Sequence, residues 1–329
     1  MNAPTSLELH NSSFSRTLPG LQLAIDSTSL GAFKECPRKY FYSIVMGYVP
    51  RSTSPHLTFG LLVHKAREIY DHARSRGEGH DDALDMALNH VLRATWDSTL
   101  GRPWFSGHPQ KNRLTLIQTV VWYLDEIAQD DPCETLILGN GNPAIELSYH
   151  YDSGYISQTT GEMFLLCGHI DRIGRLGDAI FGCDIKTTTR TLSPEWFQQF
   201  SPNNQMTGYT LAGRVAFKQP LAGMLIDGIQ VGVNFSRFYR SLVPRDESQL
   251  GEWLQGLGYW FAQLEVCALT GNKARVHEDG WPQNDRACDM YGGCPYRSIC
   301  SKPQSAREQW LQADFMRRTW DPLKARGDI

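Results

Sequence analysis

The residues best placed to do chemistry are Asp184-Ile185-Lys186, at the end of the run DAIFGCDIKT (178–187), which reads as a strand. Side chains two apart on a strand share a face. Asp184 and Lys186 therefore point one way, and Cys183 and Ile185 the other, toward a core. The preceding candidate strand, MFLLCGHID (163–171), ends in Gly168-His169-Ile170-Asp171, and a glycine-containing turn at 174–177 makes the two a hairpin. Antiparallel pairing brings Asp171 beside Asp184. Two neighbouring carboxylates repel unless a cation neutralises them, and hard oxygen ligands of this kind suit Mg²⁺ or Mn²⁺. A lysine beside such an ion can orient a water or stabilise charge developing on a phosphate. His64 lies in a helix read over Gly60–Arg74, off the face of Leu62, Ala66 and Ile69, and is the candidate third ligand. Gln205 and Tyr209 are four apart on a later helix, where they share a face and can grip a phosphate or position the lysine. A D-x-K triplet alone is common. The order of all four signals is what carries weight.

The second constellation is sulfur. Cys288, Cys294 and Cys300 recur as C-x5-C-x5-C in ACDMYGGCPYRSIC, a Gly/Pro-containing loop of metal-site character. A four-thiolate site needs one more ligand, and Cys36, in ECPRKY, is the best candidate. Cys167, Cys183 and Cys267 sit in apolar contexts and read as small core residues, with Cys133 unassigned. Spacing alone leaves a Cys₄ zinc site and an iron–sulfur cluster both open.

These residues need a scaffold. The chain has 329 residues, 41% of them hydrophobic and 20% charged, so a packed core is expected and wholesale disorder is excluded. Lys plus Arg number 32 and Asp plus Glu 35, a net charge of −3, which excludes a polybasic protein but not a local basic groove. No apolar run reaches the roughly 18–20 residues of a membrane span. The polar start carries no secretory signal, so a cytoplasmic protein with reduced cysteines is expected. Residues 1–20 read as a flexible leader and 21–329 as a single domain. Its parts are a mainly helical stretch (21–135), an α/β core (136–270), a cysteine segment (271–303) and a final helix (304–329). Helices are expected from about residue 27, capped by Ser27 or Ser29, and over 60–74, 82–98 and 112–129. Strands are expected over 144–151, 163–171, 178–187 and 223–235. Further helices are expected after Ser193-Pro194, from Pro202 to about 217, and over 250–269.

The ordered set of His64, G-H-I-D, D-I-K and Q-x-x-x-Y resembles the PD-(D/E)xK nuclease superfamily, in its RecB-like branch. C-P-R-K-Y near the start, with three distal cysteines, resembles the cysteine staple of Cas4-like and AddB-type nucleases. The resemblance spans residues 27–300. It implies an α/β fold with a mixed central sheet flanked by helices, the restriction-endonuclease-like core. It implies His64, Asp171, Asp184 and the Ile185 carbonyl as ligands of Mg²⁺ or Mn²⁺, with Lys186 catalytic and Gln205 and Tyr209 assisting. Glu146 lies where some members keep another acid. Cys36, Cys288, Cys294 and Cys300 would hold a structural [4Fe–4S] cluster, although C-x2-C is the commoner spacing between the first two distal cysteines, against x5 here.

The implied function is a metal-dependent DNA nuclease acting on ends or single strands, in recombination, repair, phage replication or CRISPR adaptation. A non-catalytic DNA-binding or assembly module that kept fold and cluster is the alternative. No G-x-x-x-x-G-K-[ST] motor motif is present, so a helicase, recombinase or CRISPR-adaptation protein would be a separate partner. Ring-forming relatives allow an oligomer, and no membrane partner is expected. Arg38, Lys39, Lys65, Arg67, Arg172, Arg190, Arg214, Arg237 and Arg240 flank the motifs. Some of them are candidates to track phosphates, with Trp196, Phe238 or Tyr239 as stacking surfaces.

Overall fold

The structure, a computed structural model, describes residues 13–52, 54–271 and 276–324. The chain divides into two compact units, one formed by Met1–Ser52, Ser148–Gly168 and Leu250–Ile329, the other by Thr53–Leu147 and His169–Gln249. No helix among the described residues is long and apolar enough to cross a membrane.

The second unit carries the expected α/β class. The hairpin forms as read: strand Met163–Leu176 runs antiparallel to Ala179–Thr188, with Arg172 opposite Cys183. Ala179–Thr188 pairs parallel to Leu221–Val231, with Asp184 opposite Ile226. Leu221–Val231 pairs antiparallel to Ser236–Pro244. The sheet is therefore mixed. The strand Ser236–Pro244 was not expected from sequence. Its signal was the period-two alternation of SRFYRSLVP, masked by the Arg and Ser residues of an outer strand.

Helices cover this sheet. Helix Pro55–Ser75 starts earlier than expected, on Pro55 at its first position, where the missing N–H costs nothing. Its buried stripe is Phe59, Val63, Ala66, Tyr70 and Ala73, at helical spacing, rather than Leu62 and Ile69. With His80–Ala94 and Arg113–Tyr123 it packs on Ile185, Ile229 and Val231. Helix Asn204–Val215 packs against strand Leu221–Val231, and closely: a Cβ on Gly213 would lie 2.4 Å from Leu221 Cδ2.

In the first unit, aromatic residues from distant segments share one core. Trp281 is wholly buried against Phe33, Tyr40 and Phe41. Helix Ser27–Glu35 is capped by Asp26, not Ser27 or Ser29. Asp26 accepts from Ser29 N, and the Ser29 hydroxyl reaches back to complete the capping box. Part of the expected leader is folded, because Phe14 and Leu18 bury their side chains in this core. Residues 1–12 lie outside the described residues. The last helix is shorter than expected and stops at Asp314. Phe315–Arg317 then pairs antiparallel with Tyr48–Pro50, with Tyr296 stacked on Phe315 at 5.0 Å. Burial of Phe315 outweighs the helical spacing that continued through Trp320.

Candidate active site

The hairpin register places Asp171 and Asp184 together, and the Pro55–Ser75 helix delivers His64 to them. One ligand atom from each of the three lies within 4.8 Å of the others. Modest adjustment would gather such a set around a cation with metal–oxygen distances of about 2.1 Å. His64 Nε2 lies 2.7 Å from the Ile185 carbonyl, which only accepts, so this nitrogen carries a proton. His64 Nδ1 lies 2.7 Å from Asp171 Oδ2. That contact is repulsive between two lone pairs and favourable only with a proton or a shared cation. Burial works against a charged ring, but the Asp171 carboxylate outweighs it and holds the His64 pKa above its usual value. Burial, reinforced by Asp171 and opposed by Lys186 and His64, raises the Asp184 pKa. Two carboxylates and an imidazole nitrogen within this span are a hard donor set that fits a divalent cation.

Lys186 lies on the Asp184 face, as the strand period requires. Its Nζ is 2.7 Å from Asp184 Oδ2 and donates to Gln205 Oε1 at 2.8 Å, with 28% of its side chain exposed. Gln205 Nε2 donates to the Tyr209 hydroxyl at 3.0 Å. The Q-x-x-x-Y pair thus holds the lysine. Asn203 caps the start of that helix through Gln205 N and Met206 N.

Glu146 lines the same cleft as His64, Asp171 and Asp184. Its backbone sits at φ 51°, a left-handed conformation unusual for a non-glycine residue and often kept at functional sites. Glu146→Gly is expected to keep or raise thermal stability by relieving this backbone, yet to slow cleavage by about tenfold. A thermal melt and a rate on one preparation check both halves.

Behind the acids lies a charge lattice that sequence reasoning missed. Asp131 accepts from Arg67, Arg172 and Arg240. Arg67 Nε also binds Asp71 at 2.8 Å, and Asp227 accepts from Arg240 and from the Tyr123 hydroxyl at 2.6 Å. Three guanidinium groups thus meet three carboxylates. Arg67, Arg172 and Arg240, read from sequence as candidate phosphate contacts, are consumed here. Arg172 follows Asp171 directly, so the lattice fixes that strand. The readable hint was the Arg67/Asp71 spacing of four on one helix. Arg38 is likewise buried, on Glu278 and the Trp281 carbonyl, and Arg214 binds Glu247.

Burial disfavours charge on Asp131, but Arg172, Arg240 and Arg67 outweigh it and hold its pKa far below the usual range. The stability this supplies is present above the unfolded carboxylate pKa of about 3.9 and is lost as the pH falls below it. Asp131→Asn, which strands buried guanidinium charge, is expected to cost about 3–5 kcal/mol in urea unfolding at pH 7. The difference from wild type should shrink as the medium is acidified.

The cysteine candidates also come together, all within the first unit. Cys36, Cys288, Cys294 and Cys300 line one cavity of about 230 Å³ with Lys39 and Asn284. Asn284 N donates to Cys36 Sγ at 3.4 Å, and Asn284 Nδ2 to the Glu35 carbonyl at 2.8 Å. Burial raises the Cys300 thiol to about 11 and also raises Cys294. Cys167, Cys183 and Cys267 are buried, as read from sequence, and Cys133, left unassigned there, is buried too, 3.6 Å from Cys183.

The fold is of the mixed α/β class, and its hairpin gathers side chains that could hold a metal. The sequence over residues 27–301 matches the PD-(D/E)XK nuclease superfamily, and the chain belongs to that superfamily, whose members use divalent metals. A crystal structure from Eubacterium rectale, of a candidate exonuclease, is similar at 11% identity, covering 87% of this chain and 92% of that one, with a TM-score of 0.49. A comparison with curated proteins finds no match.

Proposed function

We propose that this nuclease is a metal-dependent deoxyribonuclease that hydrolyses phosphodiesters at DNA ends or in single strands. The observation that carries the reading is the convergence of His64, Asp171 and Asp184 beside Lys186. His64, Asp171, Asp184 and the Ile185 carbonyl would hold Mg²⁺ or Mn²⁺. Such a cation supplies an activated water and neutralises charge on the reacting phosphate. The protein's own work is then positional. Asp184 and Gln205 fix the Lys186 ammonium, which orients the attacking water and stabilises negative charge as it develops. Tyr209 holds Gln205, and the charge lattice holds the Asp171 strand.

We assign Cys36, Cys288, Cys294 and Cys300 to a structural [4Fe–4S] cluster. A zinc ion at about 2.3 Å from four sulfurs would need a closed set. The cavity of about 230 Å³ that these four cysteines line has room for a cluster. The processes such an enzyme serves are recombination, repair, phage replication or CRISPR adaptation in the cytoplasm, with any helicase supplied by a partner. The test is digestion of end-labelled single- and double-stranded DNA with Mn²⁺ or Mg²⁺, with the visible spectrum of the same anaerobic preparation. Metal-dependent cleavage is expected, and its absence on every end and strand would favour a scaffold that only binds DNA.

A further inference from the structure

The start of the His64 helix is built for an anion. Helix Pro55–Ser75 has 21 residues and opens on Ser54, whose side chain makes no capping bond. Its first backbone bond runs from Thr58 N to Ser54 O. The amides of His56 and Leu57 are then the outward donors at the positive end of the helix dipole. The exposed His56 ring meets the His108 ring edge-on, with centroids 4.7 Å apart. His108 Nδ1 accepts from Gln110 N and Lys111 N, which puts the ring proton on Nε2. No described residue accepts that proton.

Lys111 is the independent sign. Its side chain is fully buried, and its Nζ has no hydrogen-bond partner. The ammonium sits 4.1 Å over the ring of Phe59, at the start of this same helix. Burial lowers its pKa to about 7, with no carboxylate acting against that. Burial lowers the pKa of His56 too, and the neighbours that add to the effect are His108 and Lys111, both basic. The neighbours that act on His56 are thus themselves basic, and they stand at the positive end of the helix dipole. A buried ammonium with no counter-charge is costly, and an anion at the helix start would offset that cost.

We propose that His56, His108, Lys111 and the first amides of this helix bind a phosphate of the nucleic-acid strand, away from the scissile bond. The proposal rests on the nuclease reading. His56 and His64 share one helix and stand eight residues apart, an axial rise of about 12 Å. Phe105, three residues before His108, is 86% exposed and offers a face to an unpaired base. A strand with one diester at the carboxylates would then leave another phosphate, a few nucleotides along, at the helix start.

The test measures binding apart from cleavage. The full chain carrying Lys186→Ala is titrated with a fluorescein-labelled single-stranded oligonucleotide over a range of salt, alone and combined with His56→Gln or Lys111→Met. At pH 6 each added substitution is expected to weaken binding about tenfold, and Lys111→Met also to lower the salt slope by about 0.7, the signature of one lost phosphate contact. Lys111→Met should also raise Tm at pH 6, because a buried charge is replaced by an apolar chain of similar length. A purely structural lysine would instead lower Tm and leave affinity alone. Unchanged affinity and slope in both variants would overturn the proposal while leaving DNA cleavage by wild type untouched. Shifts of the His56 and His108 ring protons with inorganic phosphate, without any effect of the variants on oligonucleotide binding, would assign the site to free phosphate and overturn it equally. If the slope changes but wild type never cleaves, the nuclease reading falls and the phosphate site stands.

Discussion

Lys186→Ala is expected to lower Mn²⁺-supported cleavage of end-labelled DNA by about a thousandfold, the scale set by a lost preorganised charge at a reacting phosphate. The fold should survive, because Lys186 is part-exposed and its contacts are polar ones to Asp184 and Gln205. The loss has two sources. The ammonium proposed to orient water is gone, and Asp184, already raised by burial, loses the partner that opposed its protonation. Lys186→Arg is expected to recover only part of the rate, since a planar guanidinium cannot occupy the ammonium's place between Asp184 and Gln205. Circular dichroism on the same samples separates chemistry from folding. Cleavage by Lys186→Ala at the wild-type rate would remove the lysine from the reaction.

Cys36→Ala is expected to give colourless, iron-free protein that melts about 10 °C lower or aggregates. The size of the effect follows from topology. Cys36 and the three distal cysteines are separated by more than 250 residues of chain, so ligation closes a very long loop. Other contacts already stitch these segments, namely Arg38 to Glu278 and the Trp281 carbonyl, and Asn284 to the Glu35 carbonyl. The variant should therefore weaken the first unit rather than unravel it. Iron and zinc analysis with a visible spectrum checks the assignment. A colourless wild-type protein with one zinc per chain would replace the cluster with a zinc site, and a fully iron-loaded Cys36→Ala protein would strike Cys36 from the ligand set.

Much of the candidate site's geometry was legible because it follows from period and register. A strand period of two placed Lys186 beside Asp184, hairpin pairing placed Asp171 opposite, and a spacing of four joined Gln205 to Tyr209. His64 was legible as a residue off its helix's apolar face, although that face proved to be Phe59, Val63 and Tyr70. What escaped was long-range pairing. Nothing local says that Asp131 gathers Arg67, Arg172 and Arg240, since those partners come from three separate segments. Of the basic residues beside the motifs that were candidate DNA contacts, Arg38, Arg67, Arg172, Arg214 and Arg240 are therefore internal ties. The strand Ser236–Pro244 escaped because an outer strand keeps polar residues on one face. The end of the last helix was misread because Phe315 continues the helical spacing, and only its burial against Tyr296 selects a strand.

The first unit is assembled from three stretches of chain, the last beginning at Leu250. The second lies wholly before that point. During vectorial synthesis the second unit can therefore condense while the first still lacks Trp281, Tyr296 and Phe315. The aromatic side chains of residues 14–48 would wait, uncovered, for about 15–60 s at roughly 5–20 residues per second. That interval is when a chaperone has the most to offer this protein, and when a truncated chain would be most prone to self-association.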